Sequence, residues 1–137
     1  MTKKLMLVAV VAGVLVAGAA RAQTAFGGDD GGFLPPDKSS AACENAIAKA
    51  LAKSLVCVAT CHAARAGGKL DEPGEESCES NASNPGSCKS KFNALRDKLL
   101  AAGTCPACLG QVVMDQVFAQ GEMFLDSGVN GQIYCAQ

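Results

Sequence analysis

The chain has no tryptophan, one tyrosine, one histidine and five phenylalanines in 137 residues. A core so poor in large rings has little apolar area to bury and gains from cross-links. A single histidine leaves no credible Ser/His/Asp set. No glycine cluster precedes a Lys or Ser/Thr in the way a phosphate-binding loop demands. No βαβ pattern is present, and basic residues do not exceed acidic ones, 12 against 13, which argues against a nucleic-acid partner. From Ala41 to Arg65 there is neither glycine nor proline.

The N-terminus carries the first positive signal. Lys3 and Lys4 precede an apolar run from Leu5 to Ala19, followed by Ala20-Arg21-Ala22. This reads as a Sec-type signal peptide over 1–22. The run is short for a membrane span and no cysteine occupies a lipoprotein cleavage position, so the expectation is release, not stable membrane insertion. Much of the positive mean hydropathy, +0.18, belongs to this leader. Its loss removes Lys3, Lys4 and Arg21 and no acid, leaving 9 basic residues against 13 acidic ones, a formal charge of −4. Residues 23–40 hold four glycines and two prolines without periodicity and read as a flexible tether. Asp29 and Asp30 lack the alternating oxygen ligands of a calcium loop.

The glycine-free stretch is rich in Ala, Leu and Lys and predicts a long helix, with Ser39 or Ser40 as its cap and Gly67-Gly68 as its stop. Ile47, Leu51, Leu55 and Val58 form its apolar stripe. Cys43, Cys57 and Cys61 project to one side of this rod. Cys43 and Cys61 stand roughly 27 Å apart along the axis, beyond the ~7 Å reach of a disulfide. Each sulfur must therefore cross to a different segment.

Residues 69–87 are acidic and full of turn formers, and read as solvated loop. Cys78-x9-Cys88 has the spacing of one arm of a CX9C hairpin, but Pro85-Gly86 interrupts it. Ser87 caps a second helix from about Cys88 to Ala102, with Phe92, Leu95 and Leu99 on one face and Gly103 as its end. Pro106 opens a third helix to about Asp126, whose apolar surface comprises Leu109, Val112, Val113, Val117, Phe118, Phe124 and Leu125. Gly128 stops it, and residues 129–133 turn into an extended tail pinned by Cys135.

All eight cysteines lie beyond the leader, an even count that reads as up to four disulfides among Cys43, Cys57, Cys61, Cys78, Cys88, Cys105, Cys108 and Cys135. The spacings split into two similar halves, Cys43-x13-Cys57-x3-Cys61-x16-Cys78 and Cys88-x16-Cys105-x2-Cys108-x26-Cys135, which suggests a duplicated helical unit. An antiparallel hairpin of the first two helices joins Cys43 to Cys105 or Cys108, and Cys57 or Cys61 to Cys78 or Cys88. The leader, the Gly/Pro tether, the Lys/Ala helices, the CxxxCH run and the ending Asn130-Gly-Gln-Ile-Tyr-Cys135 resemble uncharacterised Cys-rich exported helical proteins of environmental bacteria. That resemblance implies a helical fold and no established activity.

Three motifs bear on chemistry. Cys57-x3-Cys61-His62 resembles a covalent haem c attachment site with one extra spacer, with His62 as proximal ligand and Met114 or Met123 as the sixth. Cys105-Pro-Ala-Cys108 has the form of a redox dithiol, with Cys105 as nucleophile. Zinc on Cys105 and Cys108 with Cys57, Cys61 or His62 needs thiolates that an exported chain oxidises. The plainer expectation is structural cysteines and a half-exposed His62. The sequence therefore predicts a mostly α, disulfide-stapled bundle of about three helices over 41–137, exported to the periplasm or cell exterior. Its expected role is a binding or structural module without catalytic activity or cofactor, whose protein or small-molecule partner is unknown. Electron transfer through haem c is the alternative, and dithiol oxidoreductase activity comes third.

Overall fold

The computed structural model describes residues 32–135. The expected signal peptide, Asp29, Asp30 and the first half of the tether, residues 23–31, lie outside the described residues.

Helix α1, Lys38–Ala66, is the spine. It starts earlier than the serines suggest because Asp37 is its cap. One Asp37 oxygen accepts the Ser40 N–H at 2.8 Å and the Ser39 hydroxyl at 2.6 Å, and the other accepts the Ser40 hydroxyl at 3.0 Å. These hydrogen bonds favour the ionised form and hold the Asp37 carboxyl down at about 2. Gly68, in the left-handed region at φ 69°, turns the chain out of the helix. The buried face runs Ser40, Cys43, Ile47, Ala50, Ser54, Val58 and Cys61, steps of three and four that follow the 3.6 period, and widens at its end to take in His62, one turn beyond Val58. Leu51 and Leu55, placed by sequence on the same stripe, are only half-buried.

Three further helices pack against this spine. Helix α2, Glu72–Glu79, occupies the stretch expected to be solvated loop. Asp71 caps it by accepting the Gly74 N–H at 2.9 Å, and a proline sits in its first turn, where no intrahelical donor is lost. Helix α3, Cys88–Ala102, has the expected bounds, with the Ser87 hydroxyl accepting the Ser90 N–H at 3.0 Å and Gly103 ending it at φ 64°. Helix α4, Gln111–Met123, starts later than Pro106 suggests, after a turn through residues 106–110. It buries Met114 and Phe118 but leaves Val112 and Val113 exposed, because buried positions one turn apart select one face of the apolar run. Gly128 does not stop the chain. Phe124–Val129 widens into a π-helical segment, and α5, Asn130–Ile133, replaces the expected extended tail.

The core is Ile47, Val58, Phe92, Met114 and Phe118 with Cys43, Cys61 and Cys88, and Phe92 packs on Phe118 with ring centroids 5.3 Å apart. Gly121 lets α4 lie close to α1, since a Cβ there would stand 2.8 Å from Leu55 Cδ2 and 3.1 Å from Leu51 Cδ1. Arg96 of α3 is buried. It donates to Asn93 at 2.9 Å and to Asp97 at 2.9 Å, and pairs with Asp115 of α4. Burial works against its charge, but the bonds to Asp97 and Asp115 outweigh it and hold the guanidinium above its ordinary pKa.

Three disulfides staple this arrangement: Cys43–Cys105, Cys57–Cys88 and Cys61–Cys78, with Cα separations of 5.2, 5.7 and 6.0 Å. The sulfurs of α1 thus reach the turn before α4, the start of α3 and the end of α2. Cys108 and Cys135 are unpaired and exposed, so Cys135 does not pin the tail. In a duplicated unit, the counterpart of Cys61–Cys78 would be Cys108–Cys135, a bond the structure does not form.

Candidate functional site

His62 is 5% exposed, not half-exposed. The last turns of α1 aim it inward, because it follows Cys61, whose bond to Cys78 draws α2 against this face. Its Nε2 lies 2.9 Å from Asp126 Oδ1 and 3.0 Å from Glu79 Oε1, with Glu75 Oε1 at 4.0 Å. Glu75 and Glu79 are one turn apart on α2, so both face α1. Arg65, one turn beyond His62, holds Glu75 at 2.8 Å and Glu72 at 3.5 Å. Asp126 arrives from the π-helical segment, a local widening that frequently accompanies functional positions.

The electrostatics of this corner are unusual for a chain with so few buried charges. Glu79 is 1% exposed. Its Oε1, though close to the imidazole, has no hydrogen-bond partner. Burial first, then the negative charges of Asp126, Glu75, Glu76 and Glu122, push its carboxyl up to about 8. Burial likewise raises Glu122, helped by Asp126 and Glu76 and opposed by Lys89. Six acidic side chains, Glu72, Glu75, Glu76, Glu79, Glu122 and Asp126, therefore share this corner with one imidazole and one guanidinium. The donor atoms of His62, Glu79 and Asp126 lie within 4.8 Å of one another. A cleft of about 450 Å³, lined in part by His62, Glu75, Asn130 and Tyr134, opens beside them.

The sequence motifs map elsewhere. Cys57 and Cys61 are committed to Cys88 and Cys78, so neither sulfur is free for a thioether. Met114 is fully buried in the core and Met123 is 61% exposed. Cys105 is bonded to Cys43, so it forms no dithiol with Cys108. The zinc set of Cys105 and Cys108 with Cys57, Cys61 or His62 is not assembled, because the antiparallel α1/α3 hairpin puts Cys105 at the opposite end of α1 from Cys57 and Cys61. The sulfurs that do converge are Cys57, Cys61 and Cys88, with Cys61 Sγ 3.8 Å from Cys88 Sγ, all three oxidised.

A second feature lies between α1 and α3. A groove of about 460 Å³ has Ala46, Ala50, Phe92 and Leu95 along its walls, the Cys57–Cys88 bond at one end, and Lys49, Lys53 and Lys91 around it. No acidic residue lines it, in a protein whose formal charge is negative. The Ser54 hydroxyl is turned back onto the Ala50 carbonyl at 3.0 Å, which keeps the wall apolar.

Sequence reasoning missed Glu75, Glu79, Arg65 and Asp126. The helix start Asp71-x-Pro73 followed by acids one turn apart was a usable signal for the first two. Nothing local marks Asp126, which is brought in by the π-helical segment. Compared with known proteins, the chain matches no family model, no curated protein and no solved structure.

Proposed function

We propose that this chain is an exported, disulfide-stapled helical binding module without catalytic activity, and that its ligand is a small amphiphile with an anionic head and an apolar body. The observation that carries this reading is the groove between α1 and α3. Phe92 and Leu95 offer apolar contact, and Lys49, Lys53 and Lys91 supply three positive charges with no acid among them. Concave apolar sites with a few charged groups at the edge are the usual form of small-molecule sites. Lysine stems contribute apolar contact while their ammonium groups stay in water to meet an anion. Three disulfides fit an oxidising compartment, and export through the leader over 1–22 fits the same compartment. Although α1 is long and apolar enough to cross a membrane, its buried stripe and its three cross-links to other segments suit a core helix, consistent with a module that is not membrane-inserted.

Binding of dodecanoate, dodecanol and dodecylamine to the oxidised protein, measured by calorimetry, tests this. Dodecanoate should bind most tightly, and Lys53→Glu/Lys91→Glu should weaken it by about tenfold or more while leaving the disulfides intact, since each tenfold step is ~1.4 kcal/mol and two reversed charges supply at least that near a surface. Equal binding of all three amphiphiles, no binding, or indifference to the charge reversal would overturn the reading.

A further inference from the structure

We propose that His62, Glu79 and Asp126 form a binding site for a divalent first-row transition ion, with zinc and manganese as the fitting probes. This inference is independent of the α1/α3 groove.

Geometry is the first support. One nitrogen, Nε2, faces two carboxylate oxygens at 2.9 and 3.0 Å. At metal–ligand distances of ~2.1 Å, neighbouring positions of an octahedron are ~3.0 Å apart. The spacing is therefore that of adjacent ligands around one ion. A single N–H proton serves such a set poorly, because it can point at only one oxygen with good linearity.

The second support is the state of Glu79. Its carboxylate is almost wholly removed from solvent, and Oε1 is left without a hydrogen bond while pointing into the cluster. A buried, unpartnered acceptor is costly and rare in folded proteins. A cation seated among Nε2, Glu79 Oε1 and Asp126 Oδ1 satisfies that acceptor, and its two charges balance the two carboxylates. Glu75, held in place by Arg65 at 2.8 Å, stands just outside as a further acceptor.

The donor set selects the ion. Imidazole nitrogen disfavours calcium and magnesium, which take oxygen ligands, while one nitrogen with two carboxylates suits zinc, manganese or iron(II). Unlike a thiolate site, it survives an oxidising compartment intact. The cleft, lined by His62, Arg65 and Glu75, reaches the imidazole and provides a route for entry. The ligands come from α1, α2 and the π-helical segment, so the ion would tie the C-terminal end of the fold to the spine.

The test uses the full oxidised protein with Cys108 and Cys135 alkylated, which removes the two free thiols as competing ligands. Calorimetry with zinc should give one ion per chain. Cobalt should give the weak visible bands of nitrogen and oxygen ligands without a thiolate charge-transfer band. His62→Gln and Glu79→Gln should each lower zinc affinity by more than the ~10- to 100-fold typical of an outer-shell partner. Asp126→Asn, at a position 43% exposed in its side chain, should do the same with the helical circular dichroism and the disulfide map unchanged, so loss of binding is separable from loss of fold. Absence of zinc and manganese binding at millimolar free ion, tighter binding of calcium than of zinc, or an Asp126→Asn variant that folds and retains wild-type affinity would overturn the proposal.

Discussion

Replacing Cys43 and Cys105 with alanine removes the cross-link that spans the longest stretch, 62 residues. Alanine is the appropriate substitute because Cys43 is 1% exposed and a serine would bury an unpaired hydroxyl. On the loop-closure account, a bond across 62 residues stabilises by ~4.3 kcal/mol at 25 °C. That figure is too large here, because the Cys57–Cys88 bond already shortens the path in the unfolded chain. With it intact, the route from Cys43 to Cys105 runs through residues 43–57 and 88–105 only, about 31 steps, and the expected loss falls to ~3.7 kcal/mol. For a domain of this size, that corresponds to a drop in Tm of roughly 15 to 25 °C. Urea unfolding followed by circular dichroism measures it, and the m-value should rise because the unfolded chain becomes more open. A loss below ~1 kcal/mol with an unchanged m-value would refute the claim that this bond acts by restraining the unfolded state.

Arg96→Met should cost about 1 to 3 kcal/mol in the same assay, less than for a fully buried pair because the Asp115 side chain is 43% exposed; a loss under ~0.5 kcal/mol, the range of ordinary surface changes, would show the pair to be energetically idle. Gly121→Val should destabilise by ~1 to 3 kcal/mol through overpacking against Leu51 and Leu55. Gly121→Ala should be close to neutral, since the leucine ends can swing aside and alanine favours the helix; equal stability of the valine variant would contradict the close approach of α4 to α1. For Asp37, the folded pKa of about 2 lies below the ordinary 3.8, so its contribution is present above ~3.8 and lost as pH falls through 2. The stability gap between wild type and Asp37→Asn should therefore narrow from pH 4 to pH 2 and close below it, and a gap undiminished at pH 2 would exclude the carboxylate as its source.

The parts of the fold legible in the sequence are those where the local signal and the packing agree. Helix α3 is the clearest case: Ser87 accepts from the first turn, Phe92 is buried, and Gly103 takes the left-handed conformation that alanine would resist. The length of α1 follows from its freedom from glycine and proline, but its start belongs to Asp37, whose two oxygens serve three donors where a serine hydroxyl would serve one. Helix α2 was hidden because Pro73, Gly74 and Ser77 have poor helix propensity. It forms through an Asp71 cap, a bond from Cys78 to α1, and glutamates that meet Arg65 and His62, so tertiary contacts override composition. The C-terminal end misled in a different way, since Gly128 continues a widened helix instead of ending one. The His62 cluster was illegible for the same reason that it is informative: its members are polar residues from three separate segments, and only the backbone path brings them within 3 Å of one nitrogen.

The order of the cross-links along the chain has a consequence for how the molecule is made. Cys61–Cys78 lies inside Cys57–Cys88, which lies inside Cys43–Cys105, so no bond crosses another and no segment has to thread through a closed ring. Oxidation that begins at the innermost pair brings the next pair nearer at each step, as a zip closes from its fold outward, and the entropic cost of each successive closure falls with the shortened path. The neighbouring wrong partners along α1 are kept apart by the helix itself, since Cys43 and Cys57 are separated by about 21 Å of axis. Once α1 is helical, Cys43 cannot pair with Cys57 or Cys61, while the choice between Cys57 and Cys61 falls to packing, since Cys61 Sγ lies only 3.8 Å from Cys88 Sγ.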